Sequence, residues 1–513
     1  MRRLACFAFA AIAVGVAYAQ PAEVRAPEQE IRAAHAYNAA VAAGPLALRA
    51  FLAGFPKGAD LHVHLSGAVY AESFIRAAGE DGLCVDPAAL KFVKPPCAPP
   101  LVQAADVPKN QDLYDRLVDA FSMRSFVPTP GFSGHDQFFA TFARFGGLGK
   151  KHIGEWVDEV ASLAAAQNQQ YLELMETPPF EHAATIAREI GWSPDLPRLR
   201  EALLAHGLRD EVFAGTEDVR TAEILRRQRE NCDTAQPAPP CRVEIRYIYQ
   251  ILREEPPEIV FAQTLLGFET IQASIDAHAH GFVGINFVQP EDGFISMRDY
   301  TLQMKMLDYL HSVYPKVHIT LHAGELAPGL VPPEGVRFHI RQAVDLGHAE
   351  RIGHGVDVMY EDDAPALLKE LAQKHVMIEI NLSSNEGILG IEGNEHPFPI
   401  YRAAHVPVAL STDDEGVSRI DITHEYVRAA LDYHLTYADL KQLARTGMEH
   451  DFLSGDSLWA ARDVFTSPVA ACKGQPPGTE KPSAACKSFL DGSEKAAAQW
   501  ELERRLREFE AKW

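Results

Sequence analysis

Several things are scarce in this chain of 513 residues, and each scarcity removes a class of protein. Basic residues are outnumbered, 48 Lys and Arg against 70 Asp and Glu, for a formal charge of -22. Nucleic acid needs a basic surface facing its phosphates, so a nucleic-acid partner is excluded. Acidity of this kind serves mainly to keep a protein in solution. Beyond residue 19 no apolar run is long enough to span a bilayer. Cysteine is sparse, and no two cysteines stand at the Cys-x-x-Cys spacing of a zinc ribbon. No internal repeat is evident. What remains is a chain with 47% hydrophobic residues, the composition of an ordinary globular protein and the length of a large α/β domain with insertions.

The first residues carry their own signal. Arg2 and Arg3 precede a short apolar run that ends in Ala17-Tyr18-Ala19 before Gln20. That is the pattern of a secretory signal peptide over residues 1–19, and the run is too short for a membrane anchor. The mature protein is expected to be periplasmic or secreted, with no membrane attachment. Signal removal takes Cys6 away and leaves six cysteines in three close pairs, each around a Pro-rich stretch. In an oxidising compartment these are expected as three loop staples, Cys84 to Cys97, Cys232 to Cys241 and Cys472 to Cys486.

Residues 20–56 have apolar positions at helical spacing and are expected as an N-terminal helical extension. Then comes Asp60-Leu61-His62-Val63-His64-Leu65. Successive strand side chains face opposite ways, so His62 and His64 share one face and offer two imidazoles to one metal ion. Further apolar or β-branched runs follow at Tyr171–Met175, Val243–Ile248, Phe282–Val288, Val317–His322, Arg351–His354, Val376–Asn381 and Pro407–Ser411. Segments of helical periodicity separate them, for example Tyr300 to Leu310 and Ala364 to Lys374. Eight β units alternating with helices predict a (β/α)8 TIM-type barrel over 57–460, with an insert at about 68–135; a doubly wound open sheet is the alternative. Residues 461–513 are expected as a helical segment carrying the last disulfide loop. Just past the insert Phe138, Phe142 and Phe145 lie on one helical face, either core or the wall of a pocket.

Barrel chemistry sits where strands end. Those positions hold His62 and His64, His322 and Glu325, His354, and the adjacent Asp413 and Asp414. Three neutral imidazoles and one carboxylate suit Zn2+, and His62, His64, His322 and Asp413 are the expected ligands of one ion per chain. Glu325 would face away if its strand continued, but Gly324 allows the chain to turn it back into the mouth as a proton carrier. Asp413 and Asp414 cannot both point inward from a regular strand. One is therefore expected to bind metal and the other to meet substrate or water.

Taken together, Leu61-His62-Val63-His64, Leu321-His322-Ala323-Gly324-Glu325, Arg351-Ile352-Gly353-His354-Gly355, Asn381-Leu382-Ser383-Ser384-Asn385 and Ser411-Thr412-Asp413-Asp414 resemble the successive motifs of the adenosine deaminases, within the amidohydrolase superfamily. The resemblance runs in the family's order from about residue 57 to 460. The signal peptide, N-terminal helices and disulfide-bearing insert are similar to the secreted, growth-factor-related branch, whose dimerisation region the N-terminal helices also resemble; a homodimer is among the expected assemblies. The resemblance implies zinc-dependent hydrolysis of adenosine, with 2′-deoxyadenosine, to inosine and ammonia. It makes Glu325 the donor to purine N1, His354 the residue that orients the attacking hydroxide, and Asp414 the partner of the N7 side. It also places Phe138 and Phe142 at the substrate mouth. Two positions depart from the family pattern: Ser66 stands where an Asp contacts the sugar 5′-hydroxyl, and Gln289, followed by Pro290, where a Gly meets purine N3. Adenine, an N6-substituted adenine or an adenine nucleotide are the alternative substrates. Two other functions compete: an amide- or ester-cleaving amidohydrolase, which lacks support because no strand-end Lys is available to bridge two metals, and a secreted binding protein with a vestigial site.

Overall fold

The computed structural model describes residues 27–277 and 281–513, so the signal-peptide segment lies outside the described residues. Eight strands form one sheet in which every neighbouring pair is parallel. They are β1 (Gly58–His64), β2 (Gln169–Glu176), β3 (Glu244–Leu252), β4 (Phe282–Val288), β5 (His318–Ala323), β6 (Arg351–His354), β7 (Met377–Ile380) and β8 (Val408–Leu410). Their order in space is their order in sequence. The chain beyond β8 then bridges back to β1: Asp413 N–H donates to His62 C=O at 2.8 Å, and His64 N–H donates to Asp413 C=O at 3.1 Å. This closure makes the sheet a barrel and rules out the open doubly wound alternative. Strands in such a barrel are covered on both faces, which is why they read as near-continuous apolar runs. In β1, Leu61 and Val63 are buried on the outside and His62 and His64 turn inward.

The helices between strands follow the sequence periodicity. Those over Phe294–Val313 and Ala364–Lys374 enclose the two predicted segments. At the start of the chain, α1 (Glu28–Ala43) and α2 (Pro45–Ala53) pack beneath the barrel against α4 (Tyr437–Glu449) and α5 (Glu494–Glu510). Tyr37, Phe51, Phe55, Tyr437 and Phe509 form an aromatic cluster there. Between β1 and β2, α3 (Gly134–Arg144) begins at a capping box in which Ser133 and Asp136 satisfy each other's backbone N–H groups.

The insert after β1 also contains a small antiparallel sheet of Cys84–Asp86, Lys91–Val93 and Val102–Gln103. The sulfurs of Cys84 and Cys97, Cys232 and Cys241, and Cys472 and Cys486 stand at disulfide distance. One expectation fails over residues 461–513, which are not helical throughout. Trp459–Ala461 and Val464–Pro468 form an antiparallel hairpin, whose strands are too short to display a two-residue period in the sequence. No helix among the described residues is long and apolar enough to cross a membrane.

Candidate active site

The strand ends gather their polar side chains at one mouth, and backbone geometry explains how adjacent residues reach it together. His354 (φ 69), Asp413 (φ 60) and Gln289 (φ 85) all sit in the left-handed region, which costs a non-glycine residue about 1–3 kcal/mol and persists only where surrounding structure holds it. For Asp413 the hold is the barrel-closing pair of hydrogen bonds. The turn at Asp413 breaks the alternation of the strand, so Asp413 and Asp414 both reach the cavity. After β5, Gly324 (φ 76) reverses the chain, and Glu291 accepts the N–H groups of Gly324 and Glu325 at 3.0 and 2.8 Å. Glu325 is thereby aimed into the mouth. Glycine is also required at Gly353: a Cβ there would lie 2.6 Å from Cε1 of His62, whose ring crosses that space.

Three histidines are held in the same way. His62 Nδ1 meets Glu379 at 2.6 Å, His64 Nδ1 meets Gln250 Oε1 at 2.5 Å, and His322 Nδ1 meets Asn286 Oδ1 at 2.8 Å. The Asn286 oxygen is fixed in place because it also accepts the backbone N–H of His322 at 3.0 Å. Each Nδ1 therefore donates, and each Nε2 turns a lone pair inward. The Nε2 atoms of His64 and His322 face each other at 3.2 Å, and those of His62 and His64 lie 3.5 and 3.4 Å from Asp413 Oδ1. Buried His62 Nε2 has no hydrogen-bond partner among the described residues.

Lone pairs opposed at such distances repel unless a cation lies between them, so the donor set fits a divalent metal. Electrostatics agree. Burial opposes charging of His62, but the carboxylates of Asp413 and Glu379 beside its two ring nitrogens push its pKa up to about 10. The enclosure demands a cation, whether a proton or a metal. Burial holds His64 below its ordinary value and His322 well below it. Ligand atoms of His62, His322, His354 and Asp413 lie within 4.8 Å of one another, and an overlapping group joins His64, Asp413 and Asp414.

Above this floor is a cavity of about 400 Å³. Phe138, Phe139, Phe142, Leu252 and Val288 wall it, with Ser66 and Gln289 also in the lining. The Phe stripe of α3 therefore divides: Phe138 and Phe142 line the cavity, while Phe145 stacks on Phe74 at 4.6 Å in the core. Of the strand-end residues predicted, His62 alone lies beneath the cavity, and the others reach its surface. Burial, reinforced by the charge of Asp413, raises the carboxyls of Glu325 and Asp414 well above their ordinary values. Both can act as hydrogen donors at neutral pH.

Sequence reasoning missed the residues behind these. Glu379, Asn286 and Gln250 orient the histidines, Glu291 orients Glu325, and Thr177 accepts from Gln250 Nε2 at 2.9 Å. Arg351, wholly buried, pairs with both Glu173 and Glu379 at 2.6 Å. The available signal was a polar residue inside an apolar strand, as in Ile378-Glu379-Ile380 or Ile285-Asn286-Phe287.

Comparison with known proteins gives a consistent assignment. Residues 157–464, well over half of the chain, match the family model described as adenosine deaminase. That span leaves out β1, whose two histidines the fold brings into the same site. Over 148 residues the chain is 37% identical to adenosine deaminase of Shewanella loihica, a segment covering 28% of this chain and 41% of that relative. The chain thus spans about two-fifths of the length of the curated relatives it matches. In three dimensions it is similar to adenine deaminase from Arthrobacter aurescens, with a TM-score of 0.52 and 16% identity over 78% of this chain and 94% of that one. It is also similar to an amidohydrolase from Burkholderia ambifaria with bound Zn, with a TM-score of 0.51 and 19% identity over 80% of this chain and 89% of that one. At such identities the likeness to these structures concerns the barrel.

Proposed function

The chain belongs to the adenosine deaminase family, and we propose that it hydrolyses adenosine and 2′-deoxyadenosine to the corresponding inosines and ammonia. The observation that carries this reading is the pair of buried carboxyls, Glu325 and Asp414, set over a histidine and aspartate cluster in an aromatic-walled cavity. Purine N1 and N7 are both acceptors, and two neutral carboxyls supply donors to them. His62, His64, His322 and Asp413 would hold one zinc ion. Zinc bound there would supply Lewis acidity, which brings the pKa of water down to about 7.

The remaining steps belong to the protein's own side chains. Asp414 receives N7 and orients the base. Glu325 gives its proton to N1 as the water oxygen adds to C6, so that the ring accepts the electron pair. His354 donates a hydrogen bond to the attacking oxygen. Of the two protons of the attacking water, one passes to the amino group and the other returns to Glu325; the C6–N bond then breaks, ammonia departs, and a carbonyl remains at C6. Phe138 and Phe142 cover the base and exclude bulk water.

The sugar side is the less specific. Ser66 offers a neutral contact where a carboxylate would make a charge-assisted one, a difference of roughly 1–2 kcal/mol, or about tenfold. Gln289 keeps the positive φ that favours Gly, and its Oε1 braces the chain by accepting Glu254 N–H at 2.9 Å. Its backbone N–H is left for purine N3. The signal pattern of residues 1–19 supports export as part of the same reading.

Ammonia release from adenosine, 2′-deoxyadenosine, 5′-deoxyadenosine and adenine, with and without a chelator, tests the proposal. Expected are turnover of adenosine that a chelator abolishes and a kcat/KM for 5′-deoxyadenosine within about tenfold of adenosine. A thousandfold loss for 5′-deoxyadenosine would mean that another residue reads the hydroxyl. No ammonia from any 6-aminopurine would overturn the activity and leave the family assignment standing.

A further inference from the structure

His354 differs from the other three histidines in what meets its Nδ1. The difference can be traced to one backbone group. Phe398 N–H, the first available after Pro397 at the start of a short helix, donates to His396 Nδ1 at 3.1 Å. A backbone amide can only donate, so this Nδ1 carries the lone pair and the proton of a neutral His396 sits on Nε2. Burial, with Arg428 adding to it, takes the pKa of His396 down to about 3, so the ring is neutral. Its Nε2–H donates to Asn385 Oδ1 at 2.9 Å. That fixes which way the Asn385 amide points, and its Nδ2 then faces His354 Nδ1 at 2.9 Å. Asn381 Nδ2 approaches the same atom at 3.5 Å. His354 Nδ1 is therefore an acceptor. Its proton lies on Nε2, which faces Glu325 Oε1 at 3.7 Å and Asp413 Oδ2 at 3.8 Å.

We propose that His396 is a positioning residue which, through Asn385, sets the tautomer of His354 and so makes it a hydrogen-bond donor to the reacting water instead of a metal ligand. Position alone would not decide this, because His354 lies in the same 4.8 Å cluster as His62, His322 and Asp413. The tautomers decide it. The three ligands donate from Nδ1 and keep a lone pair at Nε2; His354 accepts at Nδ1 and has none to give. The catalytic half of the statement rests on the function proposed above, whereas the tautomer does not.

The test uses the full-length, metal-loaded protein labelled with 15N in its imidazoles, with the His354 signals assigned by comparison with His354→Ala. In the parent, His354 should show a protonated Nε2 and an unprotonated Nδ1. Asn385→Asp is nearly isosteric but accepts from both sides, so it should move the His354 proton to Nδ1. With that shift kcat should fall by about a hundredfold, while KM stays within about threefold and metal content is unchanged. His396→Leu frees the amide to turn and should lower kcat by about tenfold or more; His396→Gln, which keeps a donor toward Asn385, should recover most of that loss. The two His396 variants also decide the matter if Asn385→Asp does not fold. A parent His354 protonated at Nδ1, or a tautomer unmoved by both Asn385→Asp and His396→Leu, would overturn the relay. A tautomer that moves as expected with turnover unaffected would support the relay and remove His354 from the reaction.

Discussion

Replacing Glu379 by Gln changes one oxygen to an NH2 group at the centre of the barrel, and its effect can be worked through atom by atom. The carboxylate is wholly buried and takes three donors: Arg351 Nε at 2.6 Å and Thr320 Oγ1 at 3.0 Å on one oxygen, His62 Nδ1 at 2.6 Å on the other. Burial works to raise its pKa, but Arg351 and His62 hold it below the ordinary glutamate value, so it is charged. An amide cannot serve all three. If its oxygen stays with Arg351, its NH2 meets His62 Nδ1, and His62 can relieve the clash only by moving its proton to Nε2 and withdrawing the lone pair from the site. If the oxygen turns to His62, the NH2 meets the guanidinium instead. Partners of this kind are worth about 10–100-fold in metal affinity, or roughly 1.4–2.7 kcal/mol. Arg351 keeps Glu173 at 2.6 Å, so the fold should lose only about 1–3 kcal/mol. Competition of the full-length protein against a chromophoric chelator measures the affinity, and unfolding in excess chelator measures the fold separately. A zinc affinity within about threefold of the parent, in a protein that folds, would refute the claim that Glu379 holds His62 as a ligand.

Two further outcomes are expected. Glu325→Gln should bind zinc in parental amount by elemental analysis yet lose about 10²–10⁴ in kcat, since only proton transfer is removed; parental turnover would exclude Glu325 as the donor. Lys57→Met tests the floor of the barrel, where the buried ammonium donates to the carbonyls of Leu52, Phe55 and Gln167 at 2.7, 3.1 and 2.6 Å. Leaving those acceptors unmet should cost about 3 kcal/mol in denaturant unfolding, and a loss below about 1 kcal/mol would mean that water replaces the lysine.

The elements visible in the sequence are those whose signal is local. The strands showed because each is a short apolar run between helical segments, and His62 with His64 because a two-residue spacing fixes a shared face. Glu325 was reachable because Gly324 announces a turn. Beyond that, local reasoning runs out for identifiable causes. Nothing about Asp413 or His354 advertises a positive φ, since neither is Gly; only the bridge that closes the barrel, unreadable from one strand, makes the turn at Asp413 necessary. The hairpin near Trp459 is held by pairing and not by period.

The residues that place protons are hidden more deeply than those that do chemistry, and the reason is physical. A ligand or proton donor must stand where a strand meets the cavity, so topology narrows the search to a few positions. The group that fixes its tautomer need only touch the far side of the ring, and any other strand of the barrel can supply it: Glu379 lies 317 residues from His62, and Asn286 lies 36 from His322. What all of them share is the cost of burying a polar group, which is tolerated only when its partners are complete. A lone Glu, Asn or Gln inside an apolar strand is therefore a statement that an unseen donor or acceptor sits opposite. By that argument Glu379, Asn286 and Gln250 could each have been marked as partnered from the sequence, and only the identity of the partner required the fold.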